Sequence, residues 1–226
     1  MKNTGRILIA SIGIVGASAA QGDQCADLGL VVSAPTDALE TLICESASEA
    51  VELFERCNVP AFRPPLHIEV VDELPEGCLG VFHCGESRID VLSPEHLETH
   101  RNPESAFAFL TAEDYFRSIV VHELAHAGFD TLNCPIESCI ASDEYVAYNM
   151  QVMFLSPDQQ AQFAAQGETG ETVSRDQISA AILFMAPDLF VQRAWAHLQQ
   201  REDPCGYIGL ITDGDIILDR ERYTGP

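Results

Sequence analysis

Histidine, glutamate and histidine at positions 122, 123 and 126 form the pattern His-Glu-x-x-His inside an apolar run, Ser118-Ile119-Val120-Val121-His122-Glu123-Leu124-Ala125-His126-Ala127-Gly128-Phe129. On a helix, residues four apart lie one turn apart on the same face, so His122 and His126 can offer two imidazole nitrogens to a single ion. Glu123 falls beside them without being a ligand, where its carboxylate can take a proton from a water that the metal acidifies. Val121, Leu124, Ala125 and Gly128 follow the i, i+3, i+4, i+7 spacing of a core face, and Phe116, Val120 and Ala127 cover another side. A helix apolar nearly all round is buried, and buried histidines and a buried glutamate need partners. We read the stretch as the site of one zinc ion.

A catalytic zinc usually has three protein ligands and an open position, so two histidines are not enough. Glu144 lies 18 residues beyond His126, at the start of the next expected helix, and a helix, short loop and antiparallel helix would bring it back over the histidines. Asp130 and Asp143 are the alternative third ligands. An acidic residue at a helix start also has a plain structural use, since it stabilises the helix dipole. Against that, Ala147 stands near Glu144 and would let two helices approach closely.

Residues 36–56 carry an apolar stripe and predict a helix. Prolines 60, 64 and 65 mark an extended linker, and residues 66–71, 78–82 and 88–92 predict a small, partly antiparallel sheet. His67 and His83 within it are read as solvated or core-edge side chains. His96 and His100 repeat the i, i+4 spacing but in polar surroundings, as on a short exposed helix. Thr111 can cap the motif helix, with Glu113 and Asp114 in its first turn. Gly128 helps to end that helix or permits close packing. A loop over residues 130–141 leads to a helix from Ser142, and further helices are expected at 157–165, 175–185 and 187–200, with a last strand at 207–211.

At 226 residues the chain suits one domain. Lys2 and Arg6, the apolar residues 7–17 and the small residues Ala17-Ser18-Ala19-Ala20 predict a signal peptide over residues 1–20, leaving residues 21–226 as the domain, exported to the periplasm or secreted. No later segment reads as a membrane span. All eight cysteines follow the expected cleavage point, which in an exported chain implies up to four disulfides; the short spacings favour Cys78 with Cys84 and Cys134 with Cys139. The formal charge of −23 becomes −25 once the two basic residues of the leader are removed. Such a surface repels phosphate backbones and anionic lipid, so nucleic acid is not an expected partner.

The chain resembles the gluzincin branch of zinc metallopeptidases, in which His-Glu-x-x-His is completed by a glutamate from a downstream helix. The resemblance covers residues 111–151 and rests on His122, Glu123, His126 and Glu144. It implies an α+β, zincin-like fold with a small sheet before the motif helix and mostly helices after it. It also implies His122, His126 and Glu144 as ligands of one Zn2+, Glu123 as general base, and peptide or protein as substrate. Where thermolysin-like members carry an aspartate one turn after the glutamate ligand, this chain has Tyr148, so Asp143, Asn149 or Asp130 must support the histidines. The metzincin pattern fails at Phe129 and Leu132. Tyr145, Tyr148 and His197 are the side chains that could donate to a developing oxyanion. Two other readings share the metal: a zinc hydrolase acting on something other than peptides, and an exported zinc-binding protein without turnover.

Overall fold

The computed structural model describes residues 25–167 and 172–219. The expected signal peptide lies outside the described residues. Strand β1 is Leu30–Ser33 and helix α1 is Asp37–Arg56, followed by β2 Leu66–Val71, β3 Gly80–His83 and β4 Arg88–Leu92. Helices α2 Pro94–His100, α3 Ala112–Phe129, α4 Ile140–Phe154, α5 Pro157–Gln166, α6 Ala180–Met185, α7 Pro187–Gln199 and α8 Pro204–Thr212 complete it. This is an α+β fold: a small mixed sheet, a mostly helical remainder, and disulfides.

The sheet has the order β1-β2-β4-β3. β1 and β2 are parallel, with α1 as the crossover between them, and β2 is parallel to β4. β3 returns antiparallel to β4, pairing Gly80 with Val91 and His83 with Arg88. The strand β1 was not among the expected elements. Its four residues are too short a run to show a period, and they gain their partner only from β2, more than thirty residues on.

From Tyr115 to Gly128 α3 is buried except at Arg117 and His126, which are partly covered. Its apolar residues pack between α1, α4 and the β3–β4 pair. Thr111 caps it, its Oγ1 accepting from Asp114 N–H at 3.1 Å. Gly128 serves packing rather than termination, because the helix runs on through Phe129. A Cβ at Gly128 would sit 2.4 Å from the Pro60 carbonyl oxygen.

Four expectations are corrected. The segment 207–211, read as a strand, is the body of α8; a five-residue apolar run cannot by itself distinguish the two, and Asp203, accepting from Gly206 N–H at 2.9 Å, caps a helix there. The stretch 175–185 is a 3-10 turn, Arg175–Gln177, and then α6, newly capped by Ser179. α4 begins at Ile140, before Ser142. Its cap comes from far away: the Asp219 carboxylate accepts from Ala141 N–H at 2.7 Å, and from Ser142 N–H at 3.0 Å and hydroxyl at 2.7 Å.

The cysteine pairing differs in one place from the expected one. Cys134–Cys139 is bridged as expected, alongside Cys25–Cys44 and Cys57–Cys205. Cys78 and Cys84 are thiols. β3 lies between them, and at about 3.3 Å per residue its four extended residues hold the flanking cysteines beyond the roughly 7 Å Cα separation a disulfide tolerates.

Candidate metal centre

α3 presents His122 and His126 one turn apart, and α4 packs across it so that Glu144 meets them. The two Nε2 atoms are 3.0 Å apart, and Glu144 Oε2 lies 3.6 Å from that of His122 and 3.8 Å from that of His126. Ligand atoms about 2.0–2.1 Å from a tetrahedral zinc stand roughly 3.3 Å from one another, a value the three separations bracket. Glu144 Oε2 is buried and has no hydrogen-bond partner. A buried, unpaired carboxylate oxygen converging on two imidazole nitrogens is costly unless an ion joins them. The cluster of His122, His126 and Glu144 could hold a metal ion.

Behind the cluster, Asp143 Oδ1 is 2.8 Å from His126 Nδ1, so that ring donates there and turns Nε2 to the site. Asp130, the other aspartate considered, closes the C-terminus of α3 with its N–H on the His126 carbonyl at 2.8 Å. His122 Nδ1 is buried and makes no hydrogen bond. Gln151, whose amide donates to Ser118 Oγ at 3.1 Å, is the polar side chain beside it. Asn149 is turned to the Tyr145 carbonyl and supports neither histidine.

Burial governs the electrostatics. It lowers His122 well below the ordinary imidazole value, helped by the neighbouring charge of His126. Burial opposes charge on His126 too, but the charge and hydrogen bond of Asp143, with Glu144 and Glu123, outweigh it and push that ring up to about 10. Glu144 is raised by burial. Glu123, 5 % exposed, is raised by burial to about 7, against the lowering effects of His126 and the Phe82 N–H.

Glu123 is held from the sheet side. Its Oε2 accepts from Phe82 N–H of β3 at 2.8 Å, and a Cβ at Gly80 would lie 2.6 Å from its Oε1. Nothing in a linear reading aimed β3 at Glu123. A glycine within the run Leu79-Gly80-Val81-Phe82 was the one available signal, since a strand glycine often marks close approach.

A cavity of about 1410 Å³ opens over this cluster, and Tyr148 lines it, its ring edge-on to His122 with centroids 4.5 Å apart. Burial, then the charge of Glu144, raises the Tyr148 hydroxyl far above its ordinary value, so it stays a donor. The structure places Tyr145 and His197 elsewhere. His197 is 1 % exposed, its Nδ1 is 2.9 Å from the Tyr145 hydroxyl, and its Nε2 meets Arg201; neither residue lines the cavity. Neither is placed to donate to an oxyanion in the cavity, because the Tyr145 hydroxyl and His197 Nδ1 are committed to each other and His197 Nε2 to Arg201. His96 and His100 stand at the cavity rim on α2, apart from the metal cluster.

The chain belongs to the family of unknown function DUF6639, matched over residues 30–221. No curated protein and no solved structure matches it. Among the described residues no helix is long and apolar enough to cross a membrane.

Proposed function

We propose that the protein is an exported zinc metallopeptidase of zincin-like architecture, hydrolysing peptide bonds in the cavity above His122, His126 and Glu144. The observation that carries this reading is the convergence of Glu144 Oε2 on the two Nε2 atoms, with Glu123 buried alongside and the cavity above them. Two imidazoles and one carboxylate form a donor set typical of catalytic zinc. When bound, zinc supplies a Lewis acid that polarises a carbonyl and acidifies water. Glu123 is the group placed to take a proton from the attacking water and deliver it to the leaving amine. Tyr148 donates its hydroxyl to the oxygen on which negative charge builds. The three disulfides are compatible with an oxidising compartment and support the export part of the reading.

The test is a pair of variants. Glu123→Gln is expected to retain one equivalent of zinc by elemental analysis and lose turnover on a diverse peptide library. Glu144→Ala is expected to lose the zinc. If the zinc-loaded unaltered protein cleaves no member of the library, the peptidase reading fails; unchanged zinc in Glu144→Ala removes that ligand.

A further inference from the structure

β3 is the edge strand of the sheet, and its main chain alternates in direction. Leu92 N–H donates to the Leu79 carbonyl at 3.0 Å, so Leu79, Val81 and His83 face β4 while Gly80 and Phe82 turn their peptide groups outward. An outward N–H on an edge strand has no ladder partner. The Phe82 N–H instead meets Glu123 Oε2 at 2.8 Å, across 41 residues of chain. Beside it, the space over Gly80 is filled by the same side chain: a Cβ there would stand 2.6 Å from Oε1, 2.7 Å from Cγ and 2.9 Å from Cδ of Glu123. Two features of one edge strand, a free donor and a missing side chain, therefore converge on one carboxylate. That carboxylate is buried and is not one of the three residues of the metal cluster.

We infer that Gly80 and the Phe82 amide are the positioning elements for the general base: the amide fixes Oε2, and the bare Cα lets the carboxylate lie against the strand. This rests on the proposed peptidase chemistry for its consequence, but the clamp itself is independent of it. The edge of a small sheet thus acts through Glu123 rather than on the metal. A misplacement of about 1 Å in a reacting group can cost about 10²-fold in rate.

Amide hydrogen exchange read residue by residue, with and without zinc, tests the clamp. In the unaltered protein the Phe82 amide should exchange at least about tenfold more slowly than an open edge amide, a difference typical of a hydrogen bond to a charged acceptor. Glu123→Ala, which leaves β3 untouched, should release Phe82 while Val81 and His83 remain protected. Gly80→Ala should release Phe82 although Glu123 is still present, retain one zinc, and lower kcat about 10²-fold with little change in KM. Fast Phe82 exchange in the unaltered protein, or exchange unchanged in Glu123→Ala, overturns the inference. Full kcat in Gly80→Ala also overturns it. If the exchange pattern appears but no peptide is cleaved by any form, the clamp stands and the peptidase reading falls.

Discussion

At the scale of single residues, Asp143 shows how neighbouring acids divide the work. Its Oδ1 lies 2.8 Å from His126 Nδ1, while Glu144, the next residue, turns to the two Nε2 atoms. Consecutive helix positions point about 100° apart, so only one of the two can face the pair of Nε2 atoms and the other must serve from the side. Which does which depends on how α4 crosses α3, and for that reason both stood as possible ligands in the sequence while His122, Glu123 and His126 were legible from spacing alone. Without metal, His126 is held charged up to about 10, above its ordinary 6.5. Its charged form therefore stabilises the metal-free fold fully below pH 6.5, and that contribution is lost as pH rises through about 10. A metal needs the neutral ring, so zinc binding at pH 8 should release a proton from His126. Asp143→Ala is expected to weaken zinc about 10–100-fold in chelator competition. It should also shrink the proton release measured by calorimetry in buffers of different ionisation enthalpy. Undiminished release would mean that another group holds that proton.

At the scale of elements, α7 is tied to α4 through His197, which the sequence offered as a catalytic donor and the structure makes a core link. Burial lowers this ring to about 4, with Arg201 and Arg175 adding to the effect. Because the folded value lies below the unfolded one, the neutral ring is favoured: the contribution is intact above pH 6.5 and fades as pH falls towards 4, where the unfolded chain binds the extra proton. One such group changes stability by at most about 1.4 kcal/mol per pH unit. His197→Gln, which cannot charge, should show a shallower loss of thermal midpoint than the unaltered protein between pH 6.5 and 4.5, whatever its stability at pH 7.5. An identical acid limb would assign the acid sensitivity to other groups. Elements with a long period or a clear cap, such as α1 behind Thr36 and α3 behind Thr111, were legible in the sequence. β1 and α8 were not: β1 is a four-residue apolar segment that gains its form from the distant β2, and the apolar run of α8 reads equally as strand or helix until the cap at Asp203 decides it. The seat of Glu144 likewise depends on Asp219, which caps α4 from 77 residues beyond Ser142.

At the scale of the whole molecule, 35 acidic residues face 12 lysines and arginines, and the sequence alone leaves open whether that excess is a solvated surface or a feature of the site. Among the described residues the cavity lining carries eight carboxylates, including Asp72, Glu73 and Glu76 from the segment between β2 and β3 and Asp130 from the end of α3, and no lysine or arginine. Asp72, Glu73 and Glu76 are exposed, Asp72 with its carboxylate 3.6 Å from His96 Nδ1, so Glu73 and Glu76 can act on an approaching ligand, whereas Glu123 is held by the Phe82 amide and Asp143 and Glu144 by the two histidines. A concave surface of one sign concentrates the field and raises the local concentration of opposite charge, an effect screened within about 8–10 Å at ordinary ionic strength. If the cavity takes peptides, those with lysine flanking the cleaved bond should therefore be used with a kcat/KM at least about tenfold above glutamate-flanked peptides of the same core at low salt. The gap should narrow on going to about 1 M salt, where the screening length is near 3 Å. Changing Glu73 and Glu76 together to lysine should close part of that gap at low salt without altering zinc content, because neither side chain belongs to the cluster of His122, His126 and Glu144. Equal use of both peptides at low salt would mean that the acidic excess belongs to the surface at large and takes no part in selecting what enters.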